Sequence, residues 1–261
     1  MNISSILGVL AALGVFIAAL LTATESWQIF LDRHAILIVI GGTAAASLIC
    51  FPLSTFINLF SVFFKKVLGK YASEHEVVIH EVVSLSKGYR GDPAYLQTQV
   101  KNIKTLFLKD AIEMLIQGGF SPETVDDILR KRAMTHYKRG EDDAGIFKTI
   151  AKFPPAFGLM GTTLGMIALL QNLGSTEAMK KVGPAMAIGL VATLYGIAIT
   201  NLVLIPIGEN LSKLNKQDET TREIVIDGIQ LLMAKEHPLV VEEHLKSYLL
   251  PSERAKLKKA S

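Results

Sequence analysis

Three things are missing from this sequence: paired cysteines, the motifs of common enzymes and any charge inside its most apolar stretches. The only cysteine is Cys50, which excludes an internal disulfide and a multi-cysteine metal site. No glycine-rich phosphate loop, nucleophile elbow or metal-ligand cluster is present, so we do not expect an enzyme, a cofactor or a bound metal. No segment alternates apolar and polar residues for long, which predicts an all-α protein.

Half of the residues are hydrophobic and the mean hydropathy is +0.37, which is too apolar for an ordinary soluble domain. A helix needs about 20 apolar residues to cross a bilayer. Four uncharged windows are long enough: Ile3–Ala23, Ala35–Leu53, Phe153–Gly174 and Val182–Gly208. The first five residues lack the basic residues of a signal peptide, so we interpret the first window as a retained membrane helix.

Lysine and arginine are concentrated in the two long segments outside these windows, and the positive-inside rule places such segments in the cytoplasm. The predicted fold class is an all-α integral membrane protein with four transmembrane helices, a cytoplasmic helical domain between spans 2 and 3, and a cytoplasmic tail. The predicted divisions are 1–53 (spans 1 and 2, periplasmic loop 24–34), 54–152 (cytoplasmic domain), 153–208 (spans 3 and 4, periplasmic loop 175–181) and 209–261 (tail).

The cytoplasmic segments show helical periodicity. Apolar residues share one helical face in 74–90 and in 101–119, and the second stretch ends at a glycine pair. Segment 121–132 begins with Ser121 as N-cap and Pro122 at the first helical position, and the apolar pattern recurs at 222–234. The predicted core positions are Val78, Val82, Leu85, Ile103, Phe107, Ala111 and Met114.

Clusters of exposed charge lie at 130–132 and 138–143. They are either a solvated surface or a docking surface for a protein partner. Acidic residues nearly balance basic ones here, so no nucleic-acid partner is expected.

The third and fourth windows carry matching stripes of small and hydroxyl residues. The residues concerned are Gly158, Gly161, Thr162 and Gly165 in one window and Gly189, Thr193 and Gly196 in the other. Small residues let helix backbones approach closely in a membrane. Two interpretations stay open: the stripes pack helices, with each hydroxyl bonded to its own helix, or they line a path or seat a third helix.

Pumps and ion carriers usually have an acid, a base or a histidine inside the membrane, and none of the four windows contains one. Either the chain moves no ions, or a partner helix supplies the carboxylate. Pro206, near the end of the fourth window, predicts a kink or a stop.

Segments 154–173 and 182–211 closely resemble the last two membrane helices of the MotA/PomA family, the larger subunits of the flagellar motor stator. Segments 30–46 and 248–257 resemble the family's second helix and C-terminal end. The resemblance implies a multi-pass protein of the bacterial inner membrane, surrounded by lipid, with both termini cytoplasmic. It also implies a homopentamer around a dimer of a MotB/PomB-type partner, which bears the essential aspartate and the peptidoglycan anchor. The cytoplasmic domain would push on a rotor switch protein of the FliG type.

The resemblance also implies residue roles. Thr162, Thr193 and Asp32 match positions along the ion path, and Pro155 and Pro206 match two prolines of conformational coupling. Threonine at position 162 resembles the sodium-driven branch, and oxygen ligands suit a hard cation. Na⁺ is therefore favoured, with H⁺ as the alternative ion and a TolQ/ExbB-type energiser of envelope transport as the alternative function.

One part of the family pattern is incomplete. Arg90 matches a rotor-contacting arginine, but the glutamate expected some residues later is replaced by glutamine or threonine at 97–99. Lys152 stands where some members have an acid. Arg130, Lys131 and Arg132 are therefore alternative candidates for the rotor contact.

Overall fold

The computed structural model describes residues 3–23, 27–62, 75–89, 94–172 and 178–254, and within these ranges it is helical without a strand. In chain order the α-helices are α1 (Ile3–Ala23), α2 (Arg33–Ile36), α3 (Gly42–Cys50), α4 (Leu53–Val62), α5 (His75–Tyr89), α6 (Tyr95–Gln99), α7 (Leu106–Gln117), α8 (Pro122–Ile150), α9 (Phe153–Asn172), α10 (Ala178–Ile199), α11 (Ile205–Met233) and α12 (Pro238–Lys246). These bounds confirm the predicted all-α class.

Wider or tighter turns connect several of these helices. Two π-helical turns, Leu37–Gly41 and Thr200–Leu204, join α2 to α3 and α10 to α11. Two 3₁₀ turns lie at Trp27–Phe30 and Val100–Asn102. Among the described residues, three continuous helical stretches are long and apolar enough to cross a membrane: Trp27–Cys50, Pro122–Gln171 and Val182–Met233. Leu10–Ala23, within α1, is a shorter apolar helix, and the four-span topology remains a prediction.

The second apolar helix ends earlier than the predicted window Ala35–Leu53. It stops at Cys50, and Phe51 has an extended backbone (φ −135°, ψ 141°). Pro52 explains this end, because a proline disfavours the α conformation in the residue before it. Leu53 therefore begins α4 and does not belong to the apolar helix that ends at Cys50.

Pro206 does not stop the fourth apolar helix, so that alternative is wrong. The backbone passes through the π-helical turn Thr200–Leu204 and continues as α11. Within this turn Ile205 donates its N–H to the Thr200 carbonyl, five residues back. The wider turn immediately before Pro206 relieves the clash that a proline ring makes with the carbonyl four residues earlier in an α-helix.

The chain divides into two compact units. The first comprises residues 1–71 and 141–212, and the second comprises 72–140 and 213–261. In the first unit, α9 and α10 pack tightly together, and the segment from α2 to α3 packs against both. Ala35 and Val39 are fully buried against Val191 and Ala192 of α10.

The second unit has its own hydrophobic core. It is built from α5, α6, α7 and α12 with the unit's portions of α8 and α11. The predicted core residues Val78, Val82, Leu85, Phe107, Ala111 and Met114 are all buried there. Helical periodicity was sufficient to identify these positions, because each helix buries a single apolar stripe.

The predicted helix over 101–119 is only partly correct. α7 begins at Leu106, after an extended Ile103, which nevertheless packs on the core. Its end is as predicted, since the helix stops at Gln117 and Gly118 and Gly119 follow with φ of 71° and 83°. Positive φ is accessible to glycine at little cost, so the pair terminates the helix.

Asp218 is the centre of an ionic cluster in the second unit. Its Oδ2 lies 2.7 Å from Arg222 Nε and 3.0 Å from His136 Nδ1. The Arg222 guanidinium also stacks 4.6 Å from the centroid of the Phe107 ring. Burial alone would raise the pKa of the Asp218 carboxyl, but the neighbouring His136 and Arg222 outweigh it and lower this pKa to about 2.

This lowered pKa predicts a specific acid sensitivity. A carboxyl with a depressed folded-state pKa stabilises the fold above its unfolded pKa, and that stability is lost as the pH falls from about 4 to about 2. We expect Asp218→Asn to remove roughly 2 kcal/mol at neutral pH. The variant should also show a shallower loss of thermal stability between these pH values, measured on the purified full chain in detergent. An unchanged pH profile would contradict this assignment.

Candidate functional site

Two threonine side chains meet between α9 and α10. Thr162 Oγ1 lies 2.6 Å from Thr193 Oγ1, so the two hydroxyls are hydrogen-bonded to each other. Thr162 Oγ1 is also 2.9 Å from the Gly189 carbonyl oxygen, and Thr193 Oγ1 is 3.2 Å from the Gly158 carbonyl oxygen. Each of these contacts crosses from one helix to the other. Both side chains are half-buried.

We call these two hydroxyls and two carbonyls the four-oxygen cluster. Each hydroxyl also reaches the carbonyl one turn back in its own helix, at 3.3 Å for Thr162 and 3.2 Å for Thr193. Neutral oxygens are the ligands that hard cations prefer, but without a negative charge they bind such ions weakly. The described parts of α9 and α10 around this cluster carry no acidic side chain. A carboxylate for an ion here would have to come from outside these helices.

The glycine stripes bring the two helices together at this point. A Cβ on Gly158 would lie 2.9 Å from the Ala192 carbonyl oxygen, and one on Gly189 would lie 2.7 Å from Thr162 Cα. Atoms of real side chains do not approach a backbone so closely, so a larger residue would force the helices apart. The four-oxygen cluster therefore depends on glycine at these positions.

The other predicted packing glycines lie along the same contact, and all are buried. A Cβ on Gly161 would lie 2.6 Å from Ala192 Cβ, one on Gly165 would lie 2.6 Å from the Ala185 carbonyl oxygen, and one on Gly196 would lie 2.4 Å from the Pro154 carbonyl oxygen. Close contact thus extends above and below the threonine pair.

Asp32 occupies a helix N-cap. One of its carboxylate oxygens accepts a hydrogen bond of 2.8 Å from the Ala35 N–H, at the start of α2. Among the contacts of the described residues, none joins Asp32 to the four-oxygen cluster. A negative side chain at an N-cap satisfies a free N–H and interacts favourably with the helix dipole.

The two predicted prolines lie towards the same end of the α9–α10 pair, because the helices run antiparallel and the start of α9 packs against the end of α10. Pro155 is in the first turn of α9, where a missing N–H costs little, and its Cα faces Gly196 of α10. Pro206 lies in the first turn of α11, just after the π-helical turn.

The candidate residues for a rotor contact differ in whether their charge is already paired within the structure. Arg90 lies outside the described residues. Arg130 is paired with Asp126 at 2.9 Å, which raises the pKa of its guanidinium. Lys131 and Arg132 are exposed and have no ion-pair partner among the described residues.

Sequence reasoning did not identify Tyr195 or Gly42. The Tyr195 hydroxyl donates to the Phe30 carbonyl, which ties α10 to the segment before Asp32. Gly42 accommodates the Phe157 ring, since a Cβ there would lie 2.3 Å from that ring. A tyrosine in an uncharged helix was a usable signal, because a buried phenol needs a hydrogen-bond partner.

In the parts of the chain that the structure describes, no group of three or more His, Cys, Asp or Glu side chains is placed to hold a metal ion.

Comparisons with known proteins find similar chains and a similar fold. Residues 99–224 match the model of the MotA/TolQ/ExbB proton channel family. The chemotaxis protein PomA of Vibrio alginolyticus is 29% identical over 98% of both chains. Motility protein A of Aquifex aeolicus is 30% identical, over 93% of this chain and 94% of the relative. The structure of the flagellar MotAB stator complex from Bacillus subtilis superposes with a TM-score of 0.85 at 26% identity, covering 96% of this chain and 97% of the other.

Proposed function

We propose a role for this chain from the premise that it belongs to the MotA/PomA family, within the MotA/TolQ/ExbB proton channel family. At the level of the family it is a flagellar stator subunit, an ion-channel component and not an enzyme. Our proposal is that it couples inward cation flow to torque on the rotor, with the four-oxygen cluster lying along the ion path.

The observation that carries this proposal is the absence of charge around a cluster of oxygens. Thr162 and Thr193 converge in an apolar helix pair, where unpaired polar groups are costly. The cluster can donate hydrogen bonds or coordinate an ion, but α9 and α10 do not supply a counter-charge. A helix with a carboxylate, placed beside these hydroxyls, would complete a site for a cation.

The partner we propose is a MotB/PomB-type subunit with one membrane aspartate and a peptidoglycan anchor. The Bacillus subtilis structure is a MotAB complex, which makes such a partner the natural source of the missing acid. We propose that five copies of this chain surround a partner dimer in the inner membrane, with lipid around them. We also propose four spans with both termini cytoplasmic, since the basic segments are then all inside.

Sodium is our proposed ion, with H⁺ as the alternative. Hydroxyl and carbonyl oxygens coordinate a hard cation directly. The 29% identity to PomA does not by itself decide between Na⁺ and H⁺, so the proposal of Na⁺ depends on the paired hydroxyls. Asp32 would add negative charge near the outer mouth while capping α2.

For the rotor contact we propose Lys131 and Arg132, whose side chains are exposed in the second unit. Arg130 is engaged by Asp126, so its charge is less available to a partner. The expected partner is a switch protein of the FliG type with acidic residues on its surface. Exposed charges of this kind steer association more than they add affinity.

Motility gives a direct test. We expect the chain, expressed with its MotB/PomB-type partner in a stator-less strain, to restore swimming in sodium medium. Replacing sodium with potassium at equal ionic strength should stop the cells, because K⁺ is too large for a site suited to Na⁺. Unchanged speed without sodium would refute the sodium choice alone. Failure in both media, with both subunits present in the membrane, would refute the proposed role in torque generation.

A TolQ/ExbB-type energiser is the alternative function, since the family model covers those proteins too. The relatives that align over nearly the whole chain are motility and chemotaxis proteins, which favours the stator. Restored envelope transport without restored swimming would support the alternative.

A further inference from the structure

An open cavity in the second unit has four cationic side chains among the nine residues that line it, and its volume is about 400 Å³. It lies among α7, α8 and α11. Its lining includes Lys131, Arg132, Arg139 and His136 of α8, Phe107 of α7 and Arg222 of α11. Small-molecule sites commonly have volumes of roughly 300–1,000 Å³, so the cavity is large enough for a small ligand.

Three of these cations have no neutralising partner. Lys131, Arg132 and Arg139 form no ion pair with any residue that the structure describes. Arg132 and Arg139, seven residues apart, share one face of α8, and Lys131 lies about a quarter turn away from them. All three line the cavity. Arg222 differs, since Asp218 holds its guanidinium at 2.7 Å and Phe107 stacks against it.

The charge around the cavity is therefore unbalanced. Asp110 is the one carboxylate on its wall, while the Arg222 charge is already matched by Asp218. Three cations facing one acid leave an excess of two positive charges. Like charges gathered on one surface repel each other, although solvent screens part of the repulsion because all three side chains are exposed. A bound multivalent anion would relieve it.

The donor types indicate which anion. Arginine presents a planar fork of N–H donors that matches phosphate oxygens, and lysine adds a point charge. Phe107 is only 7% exposed and already covered by Arg222, so the cavity offers no free ring for a nucleobase to stack on. The cavity would therefore recognise its ligand through the phosphate groups.

We propose that this cavity is a binding site for a small soluble polyphosphate, held by Lys131, Arg132 and Arg139. Arg222, which Asp218 and Phe107 keep in place, would form the opposite side of the site. A concave site with several separated cations suits a chain of phosphates better than a single phosphate. The inference goes beyond the stator role and does not depend on it. Occupancy would also mask Lys131 and Arg132, the residues proposed for the rotor contact.

Calorimetry on the purified full chain in detergent, at physiological ionic strength, tests the proposal with tripolyphosphate as the probe. We expect saturable binding. The triple variant Lys131→Gln/Arg132→Gln/Arg139→Gln should bind at least about tenfold more weakly. A matched variant, Lys101→Gln/Lys104→Gln/Lys138→Gln, removes the same charge from exposed positions outside the cavity and should bind within about twofold of the wild type.

A milder second variant keeps the proposal testable if the triple variant does not fold. Arg132→Lys keeps the charge but loses the planar fork, and we expect an intermediate loss of affinity. No saturable binding by the wild type would overturn the proposal, and so would an equal loss in the matched variant. Equal affinity for glycerol phosphate, the headgroup chemistry of an anionic lipid, would overturn the assignment to a soluble polyphosphate.

Discussion

Thr193→Val is expected to abolish sodium-driven swimming while the stator still assembles. Valine has nearly the shape of threonine, so the contact between α9 and α10 is retained and only the hydroxyl is lost. Thr162 keeps its hydrogen bond to the Gly189 carbonyl at 2.9 Å, so no buried donor is left without a partner. The fold should therefore survive, while the ion path loses one of its oxygens.

The size of the effect follows from the charge on the ion. Removing one polar contact to a charged group costs about 1.5–3 kcal/mol, which corresponds to at least about a tenfold slower ion passage. Swimming speed and sodium flux into vesicles containing the purified complex measure this loss. Thr193→Ser keeps a hydroxyl and should restore a large part of both.

The neighbouring Thr163 supplies a matched control. It is exposed and its hydroxyl donates to the Leu159 carbonyl of its own helix, at 3.0 Å. Thr163→Val removes the same chemical group from α9 at a position outside the cluster, and we expect near-normal swimming. If Thr193→Val swims as well as Thr163→Val, the four-oxygen cluster is only a packing contact.

Gly189→Ala is expected to abolish function by a different route, because it separates the helices. The added Cβ would lie 2.7 Å from Thr162 Cα, which is backbone and cannot rotate away. Overpacking of this kind typically costs about 1–3 kcal/mol. The shift would also break the bond of 2.6 Å between the two threonine hydroxyls. We expect a lower midpoint of thermal unfolding in detergent together with loss of swimming.

Gly145→Ala is the matched control, in the interior of α8. Apart from its chain neighbours and its own helix backbone, nothing in the structure lies within 4 Å of a Cβ built on Gly145, and no proline follows it. Alanine is favoured over glycine inside a helix by about 1 kcal/mol, so this variant should be as stable as the wild type or slightly more so. Equal stability and swimming of both variants would show that the close approach at Gly189 is not required.

Much of the fold could be predicted because it depends on local periodicity. The apolar faces around Val78 and Phe107 follow from a period of 3.6 residues, and each side chain's burial then follows from the helix it belongs to. The start of α7 was missed because an extended Ile103 still packs on the core. Periodicity alone does not distinguish that arrangement from an additional helical turn.

The sequence by itself determined which residues can lie in lipid, where the glycine and threonine stripes run, and that no acid accompanies them in the apolar windows. These are properties of single helices. Only the tertiary structure decided that Thr162 and Thr193 face each other, that Asp32 caps α2 and that the helix continues past Pro206. The physical reason is that these features depend on how one helix is rotated and placed against another, or on a hydrogen-bonding choice at a turn. One pattern of stripes is compatible with several arrangements of the helices, and close packing of the side chains selects one arrangement.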